Sequence, residues 1–191
     1  MNWIEILIVS IGISLDLFAA VECEGALVAK IHVKHLILIT LLVSAWQLGI
    51  LYLGNFGATL LCSYNIGDDK IVMERIIAVT IFFFLGLRLL YQAWKNEQII
   101  EHREEELGLK RFFRLVAVVS FYTFVTGAAF GFLGTSVVLL LAIVLAITVV
   151  CVVAGMYTGY HLGYEPKTKV YIIGGILLIV AGIDIILRYI A

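Results

Sequence analysis

Long apolar runs separated by short polar connections dominate this chain. Six stretches, Ile4–Ala26, Leu36–Cys62, Ile71–Trp94, Phe112–Leu133, Ser136–His161 and Val170–Ile190, each hold about 20 or more mostly apolar residues, the length that crosses a hydrocarbon core of roughly 30 Å. The pattern predicts an all-α integral membrane protein of six transmembrane helices. The longest connection, 95–111, interleaves Glu97, Glu101, Glu104, Glu105 and Glu106 with basic and amide residues. A solvated helical extension explains such a charge run better than a cation sensor. The expected organisation is a three-helix unit over 1–94, a charged cytoplasmic loop over 95–111 and a second three-helix unit over 112–191.

Composition strengthens this picture. The chain is 63% apolar and 14% charged, with a mean hydropathy of +1.10, far from the roughly 45–50% apolar share of soluble domains. The bilayer is therefore its expected partner. The opening MNWIEILIVS has no basic segment ahead of its apolar run, so the first helix is expected to be retained rather than cleaved. Lys30, Lys34, Lys95, Arg103, Lys110, Arg111, Arg114, Lys167 and Lys169 fall in the first, third and fifth connections, against Lys70, Arg75 and Arg188 on the other side. Basic residues are retained in the cytoplasm, which predicts both termini outside. A net charge of −1 and the lack of a basic face exclude nucleic acid. Cys23, Cys62 and Cys151 have neither CxxC spacing nor histidines at ligand spacing, so neither a disulfide framework nor a structural zinc site is expected. No Ser/His, Asp/Asp or HExxH constellation stands at catalytic spacing, so the chain does not read as an enzyme, and no lipid, nucleotide or redox cofactor is signalled.

The two halves resemble each other. Ser14-Leu15-Asp16-Leu17-Phe18 lies on Ser120-Phe121-Tyr122-Thr123-Phe124, and Leu85-Gly86-Leu87-Arg88 lies on Ala181-Gly182-Ile183-Asp184, while Glu24-Gly25 finds no counterpart. Three helices is an odd number, so the second unit enters the membrane inverted. Inverted repeats give two conformations of nearly equal energy around a site at the bilayer midplane. Asp16 and Tyr122 lie about ten to twelve residues into their spans, or roughly 15–18 Å deep at 1.5 Å per residue.

Asp16 is the most informative side chain, because a carboxylate at a helix centre costs about 2.5–3.5 kcal/mol even on insertion scales. It reads as a cation or proton site, or else as a protonated carboxyl bonded to a neighbouring helix. At about 100° per residue, Ala20 and Cys23 share its face, with Glu24 about 80° and Glu22 about 120° away. Glu22 and Glu24 form either an acidic vestibule that focuses cations or a headgroup-facing helix end. Gln47 and Asn55 offer uncharged oxygens to a hard or borderline cation, and amides also hold helices together. Ser14, Ser120, Thr123 and Thr126 offer hydroxyls that either complete such a site or bond their own backbone. Arg88 is expected to snorkel toward the cytoplasm, with Asp184 too distant to pair with it. Gly155, Gly159 and Gly163 form a small-residue ridge, with Gly127 and Gly131 a shorter one, suited to a homo-oligomer contact or a sliding surface.

The chain resembles the bacterial manganese efflux pumps (MntP), part of the lysine-exporter-like transporters. The likeness rests on Gly12-Ile13-Ser14-Leu15-Asp16 with Phe18-Ala19, on Gln47 followed by Gly54, on Phe84-Leu85-Gly86 with Arg88, and on the run from Gly155 through Gly159 and Gly163 to Gly174-Gly175 and Gly182. It implies a six-helix inverted repeat in the bacterial inner membrane that exports Mn2+ past one aspartate from each half. Asp16 matches the first aspartate, and Tyr122 stands at the second. A proline common after Gln47 is missing, Tyr171 stands where a glutamate often begins the sixth helix, and the acidic pair Glu22 and Glu24 is new.

The expected metal site therefore comprises Asp16 with Gln47 and Asn55, with Glu22, Glu24 and Cys23 compensating for the charge lost at Tyr122. A thiol on the path would favour softer ions. The expected function is export of a divalent cation, Mn2+ in first place. The alternative is a transport-inactive relative acting as a membrane scaffold or partner-binding protein.

Overall fold

A computed structural model describes residues 3–27, 33–64, 70–95, 109–163 and 165–189. Glu97, Glu101, Glu104, Glu105 and Glu106 lie outside the described residues. The chain runs through six helices: α1 Trp3–Leu27, α2 Val33–Tyr64, α3 Lys70–Lys95, α4 Leu109–Phe132, α5 Val137–Leu162 and α6 Glu165–Tyr189. Each covers one of the predicted stretches, α6 starting earliest relative to expectation because Glu165 to Lys169 extend it by a polar first turn. Five of the six are long and apolar enough to cross a membrane, and in α4 the apolar part among the described residues is Val119–Phe132.

The distribution of polarity is that of a body solvated by hydrocarbon. Leu41, Leu61, Phe84, Val138, Val150 and Leu187 are exposed, while Ser10, Ser14, Asp16, Glu22, Gln47, Asn55 and Thr148 are buried. In lipid every polar group must find its partners inside the protein. Three threonine hydroxyls meet this demand along their own helices: Thr40 donates to the Leu36 carbonyl at 2.8 Å, Thr123 to Val119 at 3.1 Å and Thr126 to Tyr122 at 2.8 Å.

Helix pairs meet through glycines, because dispersion between closely approaching backbones replaces the hydrophobic effect in a bilayer. A Cβ on Gly155 would press on the Phe18 carbonyl oxygen, and one on Gly159 on that of Glu22, so α5 lies against α1. Likewise Gly54 of α2 meets the Phe124 carbonyl of α4, and Gly127 of α4 meets that of Leu51. Gly86 of α3 meets Ile179 of α6, and Gly182 of α6 meets Phe83 of α3. Gly25 and Gly131, unmatched in the sequence comparison, play one part: each meets a carbonyl of the facing helix, Met156 and Asn55 respectively. Gly155 and Gly159 are thus covered by α1 within the same chain, so a second copy could use them only by displacing α1.

Between α4 and α5 the chain turns through Gly134, at φ 60. There Gly134 N donates to the Gly131 carbonyl and Thr135 N to that of Phe130. This left-handed glycine cap satisfies carbonyls that a helix end otherwise leaves bare.

Candidate functional site

Asp16 is 5% exposed, midway along α1. Its Oδ2 accepts a hydrogen bond from Arg88 Nη1 of α3 at 2.8 Å, and the two form an ion pair whose side chains are 6% and 13% exposed. The guanidinium carbon lies 3.2 Å from the ring centroid of Tyr122 on α4. One charge pair and one aromatic face thus join three helices. Breaking a buried pair by removing one member costs about 3–5 kcal/mol, because the other charge is left uncompensated. The aromatic face adds about 0.5–2 kcal/mol.

This corrects the expectation for Arg88, which turns inward rather than snorkelling. The cause is Asp16: a carboxylate already inside a low-dielectric bundle is costly without a neutralising cation, and Arg88 is the basic side chain within hydrogen-bonding reach. Arg88 is the one basic residue well inside an apolar stretch, so charge balance across the spans is the signal that could have found the pair. Asp184 instead accepts from Arg188 Nε at 2.9 Å on its own helix, and Arg188 also reaches Glu5 of α1 at 3.6 Å.

A space of ≈ 10 Å³ beside the pair, about the room of one water, is bounded by Asp16, Arg88, Tyr122 and Thr126 with Ile13, Leu85, Leu89 and Leu178. Asp16 and Tyr122 are therefore brought together, with Arg88 between them. Gln47 lies elsewhere: its Oε1 accepts from Thr148 Oγ1 of α5 at 3.1 Å. Asn55 is buried where α2 meets Gly127 and Gly131 of α4. Thr148 carried no sequence signal.

Glu22 and Glu24 are 0% and 4% exposed. Both are enclosed by the bundle, because Gly155 and Gly159 let α5 close over this end of α1. Neither Glu22 oxygen has a hydrogen-bond partner among the described residues. Lys167 of α6 supplies a charge within Coulombic reach of Glu22 and of Cys23. Among the described residues no three of His, Cys, Asp and Glu converge as a metal cage.

A second, larger cavity of ≈ 340 Å³ shares Arg88 and Tyr122 with the first and extends to Tyr91, Gln92, Lys95, Lys167 and Tyr171. It opens toward the end of the bundle where α3 finishes and α6 begins. Sequence reading gave Lys167 only a part in topology and Tyr171 only a departure from the family pattern, since neither signals that α6 meets α3 here.

Comparison with known proteins places this geometry. The family described as "Putative manganese efflux pump" matches residues 30–186. Relatives named as manganese efflux pumps of that description include one from Clostridium botulinum strain Langeland, 26% identical over 99% of this chain and 96% of the relative. Another, from Clostridium perfringens strain SM101, is 25% identical over 99% of this chain and 96% of its own length. A third, from Campylobacter jejuni strain 81-176, is 23% identical over 99% and 98%. No solved structure matches the chain. The family consists of transporters rather than enzymes, and the match covers most of the described helices. With its apolar exterior, buried ion pair and membrane-length helices, the chain is a multi-pass membrane protein that belongs to the manganese efflux pump family.

Proposed function

We propose that this protein exports a divalent metal cation, Mn2+ in first place, by alternating access at Asp16. The observation that carries this reading is a buried carboxylate neutralised by a cation that can be exchanged: Arg88 holds Asp16 through Nη1 alone. A metal ion entering the site takes the place of the guanidinium, so the carboxylate is never left uncompensated in the low-dielectric interior. Asp16 supplies the charged oxygen and the Tyr122 hydroxyl a neutral one, suited with water to a hard or borderline ion. Gln47 and Asn55 on α2, and Glu22, Cys23 and Glu24 at the end of α1, become further ligands only as the helices move.

An inverted repeat supplies that movement. Three sets of contacts support it. In the register that lays Ser14 on Ser120, Phe18 falls on Phe124 and Glu22 on Ala128; in that laying Gly54 on Gly155, Gln47 falls on Thr148. Gly155 meets Phe18 and Glu22 as Gly54 meets Phe124 and Ala128. Gly86 meets Ile179 as Gly182 meets Phe83. The Gln47–Thr148 bond joins residues that are each other's equivalents, as expected on a two-fold axis. The basic residues Lys95 at the end of α3 and Lys167 and Lys169 at the start of α6 favour that end as cytoplasmic, with both termini outside the bacterial inner membrane.

The scaffold alternative predicts a closed apolar centre, whereas the centre here holds a charged pair and a tyrosine. The test is metal sensitivity of a bacterial strain lacking its own exporters and expressing this chain or its Asp16→Asn variant, across Mn2+, Zn2+, Cd2+, Co2+ and Ni2+. Protection from Mn2+ that disappears with Asp16 is expected; no protection from any of these ions, with the protein present in the membrane, would sink the proposal.

A further inference from the structure

The ≈ 340 Å³ cavity has the wrong sign for a cation. Arg88 and Lys95 of α3 and Lys167 of α6 face it, and among the described residues no carboxylate lines it. Its remaining polar lining is the Gln92 amide and the tyrosines Tyr91, Tyr122 and Tyr171, whose hydroxyls can donate. Lys167 also stands 5.9 Å from the Tyr171 ring. Three cations gathered round one space at the edge of a low-dielectric body repel one another. Asp16 offsets Arg88 from one side and Glu22 offsets Lys167 from another, but both carboxylates stand outside the cavity lining. Its size lies in the range of small-ligand sites.

We infer that this cavity is an oxyanion site, which takes a phosphate or carboxylate group between Arg88, Lys95 and Lys167. Charge-assisted hydrogen bonds from guanidinium and ammonium are the strong ones for such groups, and Arg88 presents the planar fork that suits them. The anion meets Arg88 from the cavity and Asp16 meets it through Nη1, so the two share one guanidinium. Two sources provide this chemistry, a free anion and the phosphate of an anionic lipid headgroup, since the cavity opens toward a bundle end. The inference concerns binding without metal and stands apart from the transport proposal.

The test uses the full-length protein in nanodiscs without added metal. Equilibrium binding of radiolabelled inorganic phosphate is measured in phosphatidylcholine discs, and retention of phosphatidylglycerol is measured in mixed discs by native mass spectrometry. Each is repeated with Lys95→Gln and with the double variant Lys95→Gln/Lys167→Gln, folding being checked by helical circular dichroism. Lys95→Gln alone keeps the test decisive should the double variant fail to fold. Saturable phosphate binding that weakens about tenfold per lysine removed, as loss of a charged hydrogen bond predicts, supports the site with a free anion. Selective retention of phosphatidylglycerol that falls in the variants supports it with a headgroup. Absence of both, or binding that both variants leave unchanged, overturns it.

Discussion

At the scale of single residues, the account turns on who neutralises Asp16. Replacing Arg88 with Gln leaves a buried carboxylate without its cation, so thermal unfolding in detergent should show a loss of about 3–5 kcal/mol. Added Mn2+ should recover more stability in Arg88→Gln than in the parent, because a ligand stabilises the state it binds and no guanidinium then competes. Tyr122→Phe keeps the ring under Arg88 and should change stability by less than about 0.5 kcal/mol, whereas Tyr122→Ala should lose about 0.5–2 kcal/mol. Tyr122→Asp adds a second carboxylate next to Asp16 and should tighten Mn2+ binding in calorimetry; unchanged affinity would remove this position from the site. Asp16 was legible from sequence because an intramembrane carboxylate has few innocent explanations. Arg88 was not, because its partner lies on a helix two spans away and only packing reveals which charges face each other. The burial of Glu22 and Glu24 was hidden for a related reason: depth along a helix is visible in sequence, but the neighbour that covers its end is not.

The scale of helices is governed by small residues. Gly159→Leu would drive a side chain into the Glu22 carbonyl of α1, and overpacking of that kind costs about 1–3 kcal/mol or more. The corresponding change at Gly57, where a Cβ meets nothing within 4 Å, should be neutral or slightly stabilising as Gly57→Ala, since alanine is favoured over glycine in a helix by about 1 kcal/mol. Melting temperatures of the two variants side by side check the contrast, and equal melting temperatures would contradict the close approach of α1 and α5. All six helices were legible from apolar run lengths, with ends displaced by a few residues where polar turns such as Glu165–Lys169 continue the helix. The glycine ridge was legible as a ridge, but its partner was not: spacing of Gly155 and Gly159 shows that something approaches closely, and only the fold shows that it is α1.

For the whole molecule, the two sites on either side of Arg88 should be linked. If an oxyanion draws the guanidinium away from Asp16, the same anion raises divalent-cation affinity and the cation raises anion affinity by an equal factor. Sulfate, which leaves Mn2+ soluble, should therefore strengthen Mn2+ binding relative to chloride at equal ionic strength, and Lys95→Gln should diminish the effect. Weaker Mn2+ binding in sulfate would show that the two sites are not coupled in this way. Under the proposed repeat, the register that lays Ser14 on Ser120 also lays Gly25 on Gly131, a pairing hidden in sequence because the neighbouring side chains, Glu24 and Phe130, have nothing in common. Their shared feature is a backbone contact, which sequence comparison does not weigh.

The central claim, that this chain carries a divalent cation past Asp16, is most directly tested by flux. Purified protein is reconstituted into liposomes containing a dye quenched by Mn2+, and quenching is followed after external Mn2+ is added, with the parent chain, Asp16→Asn and protein-free liposomes compared at equal incorporation. The account predicts rapid quenching with the parent chain and the slow protein-free rate with Asp16→Asn. A parent chain no faster than empty liposomes, or an Asp16→Asn variant as fast as the parent, would contradict it.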